Sequence, residues 1–254
     1  MPPDTTNPFS LEGKTALITG GSRGIGYAIA EAFVDAGARV VISARGEDAL
    51  NEAAVRLGAN AIARRCDIAD PEDVRGLVRE ASRLGAIDVL VNNAGISPFY
   101  KRAEQTTADD FDSVVAVNLR GAYLCSTEVA NRLFAEERPG SIVNVSSVLG
   151  LHVDERQAVY AVTKAALLQM TRAFALEWAD RGVRVNAVAP GWTESDMTGQ
   201  LFESRHGARL KGDIPLGRFA TPEDTAGAAL YLASDASSYV TGATITIDGG
   251  RSLR

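Results

Sequence analysis

Thr15-Ala16-Leu17-Ile18-Thr19-Gly20-Gly21-Ser22-Arg23-Gly24-Ile25-Gly26 is an apolar run that ends in a glycine-rich turn and passes straight into a helical pattern. Ile25, Ala28, Ile29, Ala32, Phe33 and Ala36 recur at three- and four-residue steps, which predicts a helix over Ile25–Ala36 stopped by Gly37. Strand, tight turn and helix in that order aim backbone N–H groups and a helix N-terminus at a phosphate. Gly20 permits the turn, Gly24 lets the backbone approach the phosphate, and Gly26 allows the helix to pack closely on the strand. With Ser22, Arg23 and Ile25 they form a candidate dinucleotide-binding segment.

Strands and helices alternate from there to the end of the chain. Strands are predicted at Arg39–Ser43, Val89–Asn92, Ser141–Val145, Arg184–Val188 and Thr244–Ile247, with a third strand that contains Cys66 and closes at Asp67-Ile68. Most are continuous apolar runs, so both faces of the sheet are covered. Asp70-Pro71-Glu72-Asp73 and Thr221-Pro222-Glu223-Asp224 each start a helix with a capping side chain, a proline in the first turn and acids near the positive end of the dipole. Longer helices are expected over Thr107–Val129 and Pro222–Leu232. The pattern is α/β: a single Rossmann-type, doubly wound parallel sheet of about seven strands with helices on both faces. Residues 1–9 read as a flexible tail and 10–254 as one domain, since no repeat, low-complexity tract or linker divides them.

Composition narrows the function classes. A chain of 254 residues with 46% hydrophobic and 23% charged residues is long enough for a two-sided core. A net charge of -6 disfavours nucleic acid as a partner. No run of about eighteen apolar residues offers a membrane span, and the N-terminal segment has no signal-peptide pattern. The two cysteines, Cys66 and Cys125, read as reduced, buried thiols of a cytoplasmic protein. His152 and His206 are not near each other or near carboxylates at ligand spacing, so no metal site is expected.

The chemistry lies in Tyr160-Ala161-Val162-Thr163-Lys164, thirteen residues after Ser147. Residues four apart share a helix face, so the Lys164 ammonium sits beside the Tyr160 phenol. A phenol titrates near pH 10 in water, and a neighbouring cation lowers that value toward neutrality. Together with a dinucleotide turn, the pair describes a nicotinamide enzyme in which hydride moves and tyrosine moves the proton.

The Gly-x-x-x-Gly-x-Gly spacing, Asn92-Asn93-Ala94-Gly95 after the fourth strand and the Ser147/Tyr160/Lys164 set together resemble the short-chain dehydrogenase/reductase family. The resemblance runs from about Gly13 to Asp248-Gly249-Gly250. It implies that Ser147 hydrogen-bonds the substrate oxygen, that Tyr160 is the general acid/base, and that Lys164 holds the nicotinamide ribose. Asn118 would be the fourth member, supporting a water in a proton relay. It also implies cofactor contacts for Asp67, Ile68, Asn93, Ala94, Gly95, Pro190, Gly191, Thr193 and Ser195. Ala44 stands where NAD-preferring relatives carry Asp, and Arg45 follows. With Arg23 this favours NADP(H) over NAD(H), because guanidinium grips a 2′-phosphate.

The expected partner is a small carbonyl or alcohol substrate. Pocket walls are expected from Ile96–Tyr100 and Leu149–Gln157, with Ser97, Leu149, His152, Val153, Gln157 and Trp192 as lining residues. A lid is expected at about 192–220, its segment Gln200–Lys211 carrying Leu201, Phe202 and His206. No single cation marks a carboxylate site in these loops, although Lys101, Arg102 and Arg156 lie close by. The nearest resemblance is to 3-oxoacyl-carrier-protein reductases and sugar or gluconate dehydrogenases. Arg138 and Arg181 fall where acyl-carrier-protein reductases place cations for their carrier, and they also read as helix-terminal cations. The alternatives are an NAD(H)-linked sugar or polyol dehydrogenase and a non-catalytic NADP(H) sensor. The resemblance further implies a homo-oligomer, tetramer or dimer, which would cover the edge strand Thr244–Ile247.

Overall fold

A computed structural model describes residues 7–194, 202 and 205–253. Seven strands form one sheet: β1 (Thr15–Thr19), β2 (Arg39–Ala44), β3 (Ala61–Arg65), β4 (Ile87–Asn92), β5 (Gly140–Val145), β6 (Val183–Pro190) and β7 (Thr244–Ile247). All neighbours run parallel, in the order β3-β2-β1-β4-β5-β6-β7. Chain direction across the sheet reverses between β1 and β4. In such sheets a crevice opens there, beyond the carboxyl ends of the strands.

The described helices are α1 (Gly24–Asp35), α2 (Glu47–Leu57), α3 (Pro71–Leu84), α4 (Ala108–Val115), α5 (Ala122–Ala135), α6 (Ala158–Trp178), α7 (Arg205–Gly212) and α8 (Pro222–Ala233). Alternate strand residues serve two separate cores. Ile18, Val40, Val91 and Val143 pack with Ile29 and Phe33 of α1, Leu50 of α2 and Leu232 of α8. Leu17, Val41, Leu90 and Ile142 pack on the other face with Leu77 of α3, Val129 of α5 and Trp178 of α6. The strands read as unbroken apolar runs because both of their faces are buried.

Caps fall where the sequence places them. Asp70 accepts a hydrogen bond from Glu72 N at 2.8 Å, and Thr221 and Asp224 form a capping box ahead of α8. The Arg218 guanidinium holds the Asp224 carboxyl down to about 2.

Three expectations change. The helix expected over Thr107–Val129 is α4, then a π-helical turn over Ala116–Gly121, then α5. Cys66 and Asp67 lie just past β3 rather than inside it. Pro8 and Phe9, expected in a free tail, are tied to the body: Ala236 N donates to Pro8 O at 2.9 Å, and the Phe9 ring lies 6.4 Å from that of Tyr231.

Candidate active site

The glycine turn is built as its spacing requires. Gly20 and Gly24 adopt left-handed backbone, φ +67° and +55°, which glycine takes without the steric penalty of other residues. A Cβ on Gly26 would overlap the Gly20 carbonyl. Asn93 locks this turn to the end of β4: its Nδ2 donates to Thr19 O at 2.9 Å and Gly20 O at 3.0 Å. The Thr19 hydroxyl accepts from the backbone N–H groups of Asn93 and Ala94, both at 3.1 Å. β1 and β4 are thereby held at a fixed separation, with the mouth between them open.

A cleft of about 1100 Å³ lies at that mouth, large beside the roughly 300–1000 Å³ usual for small-ligand sites. It is lined by Gly20, Ser22, Arg23, Gly24, Ile25 and Gly26 of the turn. Arg45, Asp67 and Ile68 line it beyond β2 and β3, Asn93, Ala94 and Gly95 beyond β4, and Pro190, Gly191 and Thr193 beyond β6. The space where a Gly24 side chain would stand is empty to 4 Å, and the exposed Arg45 guanidinium stands at the rim. These features fit a dinucleotide with room beside it for a small substrate. Ser195 lies outside the described residues.

Ser147, Tyr160 and Lys164 converge on the same cleft. Ser147 follows β5 as the cap of a short 3-10 turn, its Oγ accepting from Leu149 N at 3.1 Å. Tyr160 and Lys164 project from the first turns of α6. Lys164 is 3% exposed, and its Nζ donates to Val145 O at 2.8 Å while lying 5.5 Å from the centre of the Tyr160 ring. Burial pulls the ammonium down to about 8. The expected lowering of Tyr160 is not what the structure shows. Burial pushes the phenol up from its ordinary value, and a hydrogen bond with Ser147 opposes the rise.

Asn118 is buried on the π turn and does not line the cleft. Its Oδ1 accepts from Ile96 N at 2.7 Å, and its Nδ2 donates to Ile96 O at 2.9 Å and Thr163 Oγ1 at 3.3 Å. It therefore clamps the loop after β4 onto α6, beside Gly95, where Lys164 also arrives. Turns of this kind recur at functional sites.

Of the residues expected to line the substrate end, Ser97, Leu149, Gln157 and Trp192 do so, along with Tyr100. His152 and Val153 do not. Val153 is 80% exposed, and His152 is part-buried with Nδ1 unpartnered. Their loop is instead held to the C-terminal turn, where Arg251 Nη2 donates to Asp154 Oδ2 at 2.9 Å. Cys66, Val117, Glu194 and Pro222 also line the cleft. The only sequence signal for them is proximity to Asp67, Asn118, Thr193 and the capping Thr221.

In the lid region, Leu201 lies outside the described residues, and α7 spans the position of His206. Phe202 stacks on Phe219 with centroids 3.7 Å apart and meets Trp192 edge-on at 6.2 Å. With Leu210 and Ile214 these rings form a small core of their own. Arg138 and Arg181 flank the opposite, N-terminal edge of β5 and β6. Arg138 donates to Asp88 Oδ1 at 2.6 Å, and the Arg181 guanidinium sits 3.3 Å over the Phe134 ring. Within one chain neither borders the cleft.

A family model described as enoyl-(acyl carrier protein) reductase matches residues 20–252. The 3-oxoacyl-[acyl-carrier-protein] reductase of Rickettsia conorii is 41% identical over 242 residues, covering 95% of this chain and 98% of that protein. A crystal structure of a gluconate 5-dehydrogenase from Burkholderia cenocepacia, in complex with NADP and tartrate, superposes with TM-score 0.92 at 35% identity, covering 97% of this chain and 98% of that one. The 3-ketoacyl-(acyl-carrier-protein) reductase from Brucella melitensis, complexed with NADH, gives 0.89 at 36%, covering 96% and 100%. The family match and these relatives, together with the fold and cleft, make the chain an oxidoreductase acting on CH–OH groups. The chain belongs to the classical short-chain dehydrogenase/reductase family.

Proposed function

We propose that this chain interconverts a ketone and a secondary alcohol with NADP(H), Tyr160 serving as general acid in reduction and general base in oxidation. The observation that carries the reading is that Ser147, Tyr160 and Lys164 meet in the cleft that the glycine turn opens. When bound there, the nicotinamide supplies or accepts the hydride. Ser147 holds the substrate oxygen and stabilises the charge that develops on it. The Tyr160 hydroxyl gives that oxygen its proton, and Lys164 holds the ribose and favours the phenolate when it forms. Asn118 supports the reading as a clamp on Ile96, keeping the loop after β4 and α6 in register.

Tyr160→Phe tests it. Turnover should fall by about a hundredfold or more while NADPH binding, read by fluorescence titration, persists. Retained turnover defeats the assignment. Equal loss of binding and turnover points to a structural role for Tyr160.

NADP(H) is favoured over NAD(H) because Arg23 and Arg45 both line the cleft beside the glycine turn and Ala44 carries no acid there. Relatives bind either cofactor, which leaves the two arginines to carry the preference. Arg45→Asp should weaken NADPH and favour NADH, and an unchanged ratio of the two Kd values would remove the argument. An oxoacyl or small keto substrate ranks first and a sugar acid or polyol second. The buried, unpaired cysteines support a cytoplasmic location. The half-exposed edge strand β7 supports a homo-oligomer.

A further inference from the structure

Arg156 is an exposed non-glycine residue in left-handed backbone, φ +63°, immediately before Gln157, which lines the cleft. Only one other described non-glycine residue, Glu137, shares that conformation, and it lies ahead of β5, at the end of the strands opposite the cleft. Arginine has no intrinsic preference for this region, and backbone held there against preference clusters at ligand-binding positions. Here the turn sets the guanidinium 5.6 Å over the ring of Tyr100, which lines the substrate end of the cleft. Gln157, the next residue, lines it too, and Tyr160 follows one helical turn later.

The surrounding charges leave Arg156 uncommitted. Asp154, two residues away, is taken by Arg251 at 2.9 Å. The neighbouring cation Lys101 is neutralised by Asp110 at 2.7 Å. Among the described residues no carboxylate pairs with Arg156. A guanidinium near an aromatic ring and unpaired with a carboxylate keeps its N–H donors available, and its planar fork matches a carboxylate.

We infer that Arg156 is a specificity-determining residue that takes the carboxylate of a small oxo or hydroxy acid, with the carbonyl directed at Tyr160. The inference rests on the ketone–alcohol reading above and names the class of substrate. The Asp154–Arg251 contact has a positioning role: it holds the loop and removes the acid that would otherwise neutralise Arg156.

The test compares kcat/KM for a small oxo acid, its uncharged amide and an oxoacyl pantetheine thioester. The wild type should prefer acid to amide by about tenfold or more, the size of one charge-assisted contact. Arg156→Gly, which takes the left-handed turn without strain, should bring that ratio close to one through KM rather than kcat. Arg156→Lys should keep part of the preference. Arg102→Gln, an exposed neighbouring cation, should keep all of it. The inference is overturned if the ratio survives in Arg156→Gly, if the wild type shows no preference, or if the thioester outcompetes the acid regardless of Arg156. Should the wild type turn over none of the three, none of them is its substrate and the test passes to binding. Calorimetric binding of the acid in the presence of NADP⁺ then decides on its own: loss of binding in Arg156→Gly supports the carboxylate site, and equal binding overturns it.

Discussion

Lys164 carries a buried charge whose stability consequence can be worked out. Its value near 8 lies below the 10.5 of an exposed lysine, so between those values the unfolded chain holds more protons than the folded one. Stability therefore rises with pH from about 8 to about 10.5, and below 8 the buried ammonium costs about 3 kcal/mol. Lys164→Met should melt higher than the wild type at pH 7, with the gap closing by about pH 10.5, and should lose turnover. Thermal melts across that range check it, and a gap independent of pH would contradict the burial argument. The residue scale is also where sequence legibility was best. That Ser147, Tyr160 and Lys164 share one cleft was readable because they are spaced along one strand-helix unit. His152 and Val153 were misassigned because loop spacing does not say which way a side chain turns.

At the scale of elements, the strands were legible from apolar runs, while the polar residues inside them were not. Asn92 and Asn144 face each other across β4 and β5. Asn92 Nδ2 donates to Asn144 Oδ1 and to Ser126 Oγ, both at 2.8 Å, and Asn144 Nδ2 donates to Thr171 Oγ1 at 2.9 Å. These hydrogen bonds tie the sheet to α5 and α6. Asn144→Ala leaves the Asn92 amide with one partner fewer and Thr171 without its donor, a loss of about 3 kcal/mol. Urea unfolding should show a lower midpoint with an unchanged slope, and a change below about 1 kcal/mol would mean that the network relaxes freely. The π turn at Ala116–Gly121 was hidden for a related reason. Its residues are compatible with ordinary helix, and packing selects the wider turn. A Cβ on Gly121 would stand 2.8 Å from Ile68 O, and Asn118 must reach Ile96.

Across the whole molecule, the cleft exists because chain order reverses between β1 and β4, bringing residues from Gly20 to Pro222 to one mouth. On the outer surface α6 leaves Val162 and Leu176 exposed, α5 leaves Tyr123, and Tyr239 is fully exposed ahead of the edge strand β7. A contiguous apolar patch marks an interface, and these side chains are the ones the proposed association would cover. Sedimentation equilibrium at micromolar concentration should return a multiple of the chain mass, two or four, and a monomer would refute the proposed association. By itself the sequence determined the sheet class, the glycine turn and the spacing of Ser147, Tyr160 and Lys164, since these follow from local periodicity and residue chemistry. Tertiary structure alone decided four things: the burial that raises the Tyr160 pKa and lowers that of Lys164, the π turn that aims Asn118, the anchoring of Pro8, and the approach of the Arg156 guanidinium to the Tyr100 ring. Each depends on contacts between segments far apart in the chain, and no local pattern encodes those distances.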